Sequence, residues 1–304
     1  MRSIETTGNN RFKMVLAAAV MTTFAALSVA GEVGCAEHEP IDAVLTTPPP
    51  DTSGQWVRTT EEGPLTIAHR GDSLKYPENT MAAFRAAIAA GAELVENDVY
   101  VSADGVPVVM HDESVERTTD GTGLITAMTS SEIARLDAGS WFSPSFAGER
   151  VPTLAEQLDE VKAHPETVLL LEVKKADRDQ MEIIIGQVEE RGMLDQVLLQ
   201  SSNKQVLVDS YSIQPELDIA LLAPATDDAV AIARQYHLSS FNPDWTSLSS
   251  HLHIIGELNA AGVGVMSWTV DNPAEWTAMD AAGTDGVITN KAAEHVAHRA
   301  AARQ

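Results

Sequence analysis

Apolar positions fall into three regimes along the chain. Residues 15–27 form one mostly apolar run. From 36 to about 63 apolar residues thin out among polar ones and prolines, with Pro48-Pro49-Pro50 at the centre. Beyond Leu65, short apolar runs alternate with stretches of helical period, and this alternation predicts the fold. Residues 65–68 are a short apolar run, read as a first strand. Asn79 or Thr80 can cap a helix over 81–90, in which Met81, Phe84 and Ile88 share a face and Gly91 ends the helix. Residues 93–101 read as a second strand, with Val95, Val99 and Val101 on one face and Glu96, Asp98 and Tyr100 on the other. Residues 114–152 carry little regular period and four glycines, so they read as an insertion. Strands are then expected at 168–173, 197–200, 218–222, 240–242, 263–268 and 286–289. Helices are expected at 153–163, 177–191, 204–210, 227–236, 251–261, 273–282 and 291–299. Such alternation makes an α/β protein with a parallel sheet. About eight units in roughly 240 residues match a (β/α)8 TIM-type barrel with a small insertion after the second strand. An open doubly wound sheet is the alternative, but no Gly-x-Gly-x-x-Gly follows a strand.

The first two regimes are read as targeting and tether. Arg2, Arg11 and Lys13 precede the apolar run, and Ser28-Val29-Ala30 is a small-x-small cleavage pattern. Residues 1–30 therefore read as a secretory signal, which makes the protein secreted or extracytoplasmic. The run is short for a spanning helix. Residues 31–63 read as a proline-rich tether, and 64–304 as the barrel, with its insertion at about 114–152. The single cysteine, Cys35, excludes an internal disulfide. It reads either as a free thiol in the tail or, after Val33-Gly34, as a lipid attachment point. Glu32 departs from the aliphatic residue that such a lipidation motif carries.

Composition narrows the partners. With 44% hydrophobic residues, the chain can bury a core. Its formal net charge is −24, from 20 Lys+Arg against 44 Asp+Glu. That balance argues against nucleic acid or an anionic membrane as a partner, and membrane contact is expected only through lipid on Cys35. An anionic substrate would have to be met by a local positive site.

Candidate chemistry gathers at the predicted strand ends, where such barrels carry their sites. His69 and Arg70 end the first strand. Glu96 and Asp98 lie near the end of the second, and their i, i+2 spacing puts both on the barrel side. Glu172 and Lys174 repeat that geometry on the next, and Trp268 ends a late strand. Three buried carboxylates this close require a cation, and oxygen-only ligands select a hard divalent ion, Ca2+ or Mg2+. Arg70 and Lys174 add positive charge for an anionic group, and His69 and His111 can move protons. The set suits phosphoryl transfer without a covalent serine or cysteine.

These residues sit in segments that resemble the glycerophosphodiester phosphodiesterase family. The segments are His69-Arg70-Gly71, Pro77-Glu78-Asn79-Thr80, Glu96-x-Asp98, Asp104-Gly105-Val106-Pro107-Val108 with His111-Asp112, and Arg117-Thr118-Thr119. Gly139-Ser140-Trp141-Phe142, Val151-Pro152-Thr153-Leu154, Glu172-x-Lys174, Trp268-Thr269-Val270 and Gly286-Val287-Ile288-Thr289 follow in order. The resemblance implies hydrolysis of glycerophosphodiesters to glycerol 3-phosphate and an alcohol. It implies metal carboxylates at Glu96, Asp98 and Glu172, and acid/base histidines at His69 and His111. It puts phosphate contacts at Arg70 and Lys174, support of the first histidine's loop at Glu78 and Asn79, and the glycerol end near Trp268. Three positions depart from the family pattern: Asn97 where an aliphatic residue is usual, Ser202 where Phe is common, and Asn290 in place of a common Asp. Two other classes stay open at this point. One is a phospholipase or wall-polymer phosphodiesterase on the same barrel. The other is a non-catalytic extracytoplasmic binding protein, which would be expected to have lost a histidine or a metal carboxylate.

Overall fold

In the computed structural model, residues 54–59, 61 and 63–303 are described. The leader, Cys35 and most of the tether fall outside the described residues. The short apolar run opening the domain is strand β1 (Leu65–Ala68), and both of its edges are taken. It pairs in parallel with β2 (Leu94–Val101) on one side and β9 (Gly286–Thr289) on the other. Between them run β4 (Val168–Val173), β5 (Val197–Ser201), β6 (Asp218–Leu222), β7 (Ser240–Asn242) and β8 (Gly264–Ser267), each parallel to its neighbours. First strand meets last, so the parallel sheet closes into a barrel with no open edge. One further strand, β3 (Pro107–Val109), lies antiparallel on β2 outside the ring.

Helices follow the strands as the periodicity predicts. They are α1 (Met81–Ala89), α2 (Ser130–Ile133), α3 (Leu154–Lys162), α4 (Arg178–Glu190), α5 (Lys204–Ile213), α6 (Ala229–Gln235), α7 (Trp245–Leu248), α8 (His253–Ala260), α9 (Pro273–Ala282) and α10 (Ala292–Ala302). Their starts are written in the sequence. Thr153 with Glu156, and Asp177 with Gln180, form reciprocal capping boxes that satisfy otherwise orphaned amide groups. Helix α7 is a single turn that periodicity alone did not signal. Asp244 starts it by accepting from Ser247 N at 2.9 Å.

Alternation along the strands sorts the core into two layers. Val95, Val99, Leu169, Leu171, Val173, Leu199, Ile219 and Val265 face the helices. Leu65, Ile67, Leu94, Leu170, Leu198, Ala220, Met266 and Ile288 fill the barrel interior. The interior layer includes Trp56, a residue of the stretch expected as tether, which is only 5% exposed. Its Nε1–H donates to Asp218 Oδ2 at 2.9 Å, which satisfies the buried indole. Gly264 makes room for it, since a Cβ there would meet the Trp56 carbonyl oxygen at 2.7 Å. The barrel thus recruits residues ahead of the expected boundary at 64. A lone tryptophan in a polar, proline-rich stretch carries no period by which to find it.

The excursion between β2 and α3 closes on a small apolar cluster of its own, including Val108, Val115, Ile125, Ile133 and Val151. Strand β3 anchors its near end, with Val99 opposite Val109 and Val101 opposite Pro107. The expected insertion over 114–152 lies inside this excursion. Its near end matters most for the site, because Met110 N donates to Asp98 O at 2.8 Å and so sets His111 beside the barrel mouth.

Trp56→Ala removes a buried aromatic side chain and leaves Asp218 short of a donor. It is expected to cost about 3–5 kcal/mol of stability, measured by urea unfolding, at unchanged substrate KM. A loss under about 1 kcal/mol would place the barrel floor elsewhere.

Candidate active site

Register alone brings the acidic residues together. In the β2–β4 ladder Asp98 is the direct partner of Glu172, and Glu96 stands two residues earlier on the same face of β2. The three carboxylates lie within 4.8 Å of one another, and all are buried. Two cations reach into them. Lys174 Nζ is 2.6 Å from Glu172 Oε1 and 2.8 Å from Asp98 Oδ1. Arg70 Nε is 3.3 Å from Asp98 Oδ2, and its Nη1 donates to Glu78 Oε1 at 2.8 Å. Asn79 Nδ2 donates to Asp98 Oδ2 at 2.7 Å.

The backbone of the His69 loop joins the same network. Arg70 holds φ at +57°, a left-handed conformation that costs a non-glycine residue energy. That turn aims its N–H at Glu96 Oε2, 2.8 Å away. Gly71 follows at φ +84°, where a Cβ would come within 2.6 Å of Ala83. The glycine of His69-Arg70-Gly71 is therefore required both by its backbone angle and by close contact with α1.

Charge is unevenly divided across the cluster. Burial, then repulsion from Asp98 and Glu172, raises Glu96 well above the usual carboxylate range. Burial and Asp98 raise Glu172 to about 7, against the pull of Lys174. Burial also works against ionised Asp98, but Lys174 and Arg70 outweigh it and hold this carboxyl at about 2. The Lys174 ammonium loses solvation on burial yet is held above its ordinary range by Asp98 and Glu172. Two of the three acids thus hold protons readily, which is where a cation can take a proton's place. The donor set fits a hard divalent ion: it is all oxygen, and buried Asp98 Oδ1 meets Lys174 without a well-directed hydrogen bond.

Both histidines flank this cluster. His69 directly follows β1, its N–H bonded to Thr289 O at 3.0 Å and its Nδ1 2.7 Å from Asn290 Oδ1. Burial and the adjacent Arg70 charge lower His69 to about 4, opposed by Asp98 and Asn290, so the ring is neutral at neutral pH. His111 follows β3, with Nδ1 2.6 Å from Asp112 Oδ1. Asp112 in turn accepts from Arg117 Nε, and Arg117 grips both oxygens of Glu78 at 2.8 and 2.9 Å. Glu78 therefore joins Arg70 to Arg117, and the two histidine loops are tied by one chain of charged groups. Asn79 N donates to Arg70 O at 3.0 Å, so Asn79 supports the His69 loop and also orients Asp98.

These groups open on one cavity of about 420 Å³, lined by His69, Arg70, Glu96, His111, Glu172 and Lys174 on its polar side. Leu222, Ala223, Pro224 and Ile288 form an apolar wall, together with half-buried Trp268, whose indole N–H donates to Asn242 O at 2.9 Å. Asp98 lies beneath, out of the lining but in contact with Lys174 and Arg70. Ser202, one of the departing positions, also lines the cavity. Sequence reasoning gave no role to Arg117, Asp244 or Asp271. Arg117 stood in a quoted motif, and its charge beside Asp112 was the available signal.

The family model for the glycerophosphoryl diester phosphodiesterase family matches residues 69–294. The chain belongs to this family. A glycerophosphodiester phosphodiesterase of Caldanaerobacter subterraneus is 36% identical over 233 residues, spanning 74% of this chain and 93% of that protein. Among solved structures, an Agrobacterium tumefaciens glycerophosphodiester phosphodiesterase superposes with a TM-score of 0.68 at 29% identity, covering 77% of this chain and 99% of the other. An Oleispira antarctica phosphodiesterase, solved in complex with the product sn-glycerol-3-phosphate, superposes at 0.71 with 28% identity, covering 79% and 98%. Family membership carries the activity: the chain is a glycerophosphodiester phosphodiesterase.

One departure from the family pattern now has a structural account. Asn97 lies between two acidic neighbours but points the other way, toward α3, where its amide donates to Gln157 Oε1. Both side chains are fully buried, and each keeps one atom without a partner. Asn97→Val combined with Gln157→Leu is expected to raise the melting temperature, because it removes two unsatisfied buried atoms, and to leave turnover unchanged. A fall in turnover with intact folding would mean that Asn97 acts inside the barrel.

Proposed function

We propose that this phosphodiesterase releases glycerol 3-phosphate and an alcohol by acid/base catalysis between His69 and His111, with a divalent cation held by Glu96, Asp98 and Glu172. The observation that carries the reading is the shared cavity, onto which Glu96, Glu172, both histidines and two cationic side chains open. When bound, Ca2+ or Mg2+ would neutralise charge on the phosphodiester oxygens. Arg70 and Lys174 stand beside the same carboxylates and hold the anionic phosphate in line with the histidines. One imidazole takes the proton of the attacking hydroxyl or water, and the other delivers a proton to the departing alkoxide. Glu78, through Arg70 and Arg117, keeps both histidine loops in register. The apolar wall around Trp268 receives the carbon skeleton of the substrate, and the acidic exterior favours a small soluble diester over an anionic lipid surface. A substrate-binding protein without activity is disfavoured, since both histidines and all three carboxylates are present. The secretory leader read in the first 30 residues would set the enzyme to work outside the membrane.

Release of glycerol 3-phosphate from glycerophosphocholine is the direct assay. His69→Ala and His111→Ala are each expected to lower kcat by roughly 10²–10⁴-fold. Chelation is expected to abolish turnover, with Ca2+ or Mg2+ restoring it and Zn2+ failing to do so. Near-normal turnover in either histidine variant would end the two-histidine reading, and full activity under chelation would end the metal reading.

A further inference from the structure

Another cavity, of about 280 Å³, opens beside the chain entering β1, at the far end of that strand from His69. Helix α9 lines it with Trp276 and Thr277, and α10 with His295, His298 and Arg299, Arg303 following just beyond. None of these residues lines the catalytic cavity. The chain carries only 20 Lys+Arg against 44 Asp+Glu, so two arginines and two histidines around one cavity are a local concentration of basic groups. Trp276 stacks edge-on against both histidine rings, with centroids 5.0 Å from His295 and 5.4 Å from His298.

The deep end of this cavity holds hydrogen-bond donors without acceptors. Arg299 Nη1 donates to both oxygens of Glu93 at 2.7 Å and to Thr66 Oγ1 at 2.9 Å. Its Nε is buried and meets no acceptor, and its Nη2 has none among the described residues. Those two nitrogens share the guanidinium edge that grips an oxyanion with paired hydrogen bonds. His295 is 1% exposed, and its Nδ1 lies 2.9 Å from the same Thr66 Oγ1. That hydroxyl already accepts from Arg299, so its own hydrogen goes to Nδ1. Burial, then the charges of Arg299 and His298, lower His295 to about 3, so the ring is neutral. Its proton is therefore on Nε2, on the other side of the ring, and Nε2 has no partner among the described residues.

We propose that this cavity binds a small tetrahedral oxyanion, inorganic phosphate or a phosphate monoester, through the free edge of Arg299 and the Nε2–H of His295, with His298 and Arg303 nearer the rim. A tetrahedral ion presents acceptors in several directions at once, which suits donors arriving from separate side chains. Bracing of α10 against the barrel accounts for Nδ1 of His295 and Nη1 of Arg299. It gives no use to His295 Nε2 or to Nε and Nη2 of Arg299. Two acids, Glu61 and Asp280, also border the cavity. Both are exposed, where water and salt screen them, while His295 and Arg299 lie deeper.

Nitrogen-15 NMR of the histidine rings, on the full enzyme with Mg2+ at fixed pH, tests this site apart from the catalytic one. His295 and His298 report here, and His69 and His111 report there. The protein is titrated with inorganic phosphate and, in a second arm, with glycerol 3-phosphate. The His295 and His298 signals are expected to shift and saturate with a Kd of about 1 mM or tighter in at least one arm, and the tighter arm names the source of the ion. Arg299→Gln removes the gripping edge and is expected to weaken binding at least roughly tenfold. Because it also takes the cation from Glu93, a second variant is made at the exposed rim. Thr277→Glu sets a carboxylate against the anion and is expected to weaken binding to a similar degree, with the melting temperature of the anion-free protein unchanged. The His69 and His111 signals are expected to keep their midpoints in both variants. No saturable shift at His295 with either anion, or unchanged affinity in Thr277→Glu, would overturn the proposal and leave His295 and Arg299 as braces for α10.

Discussion

Three carboxylates buried within 4.8 Å of one another cannot all carry charge unless positive charge stands among them. Much else in this barrel answers to that constraint. Lys174 and Arg70 are drawn in against Asp98, and the Arg70 backbone is turned into a left-handed conformation to donate to Glu96. Asn79 orients Asp98, and Glu78 balances Arg70 against Arg117. The two acids left with raised proton affinity, Glu96 and Glu172, are those best able to exchange a proton for a cation.

The same network explains why residues far apart in sequence act together. A charged chain runs from His111 through Asp112, Arg117 and Glu78 to Arg70, which adjoins His69 in sequence. The excursion after β2 supplies His111, Asp112 and Arg117 of that chain, so it sets His111 beside the barrel mouth. On the other side Asn290, just after the barrel's last strand, holds His69 and is itself held by Asp271 from the segment after β8. The first histidine is therefore set by the very seam that closes the sheet.

Much of this was legible in the residues. Alternation of apolar runs with helical periods predicted the barrel, because strands buried on both sides and helices with one apolar stripe leave different signatures. The i, i+2 pairs Glu96/Asp98 and Glu172/Lys174 predicted the inward carboxylates, because side-chain direction in a strand has period two. Trp56 was missed because its packing depends on a gap at Gly264, more than 200 residues away. Asn97 read as a departure within the acidic pair, and only the partner Gln157 on α3 accounts for it. The lock on Asn290 was hidden for the same reason: an asparagine after a strand has no direction until Asp271 fixes it. Local pattern carries elements and facing, whereas satisfaction of buried polar groups is a property of the assembled fold.

The proposed chemistry depends on the carboxylate cluster taking a cation. Calorimetric titration of the metal-free protein with Ca2+, beside the Glu172→Gln variant, tests it most directly. One ion per chain is expected, with proton release on binding, and affinity weakened by at least roughly 100-fold in the variant. Equal affinity in both proteins, or no binding in either, would contradict it.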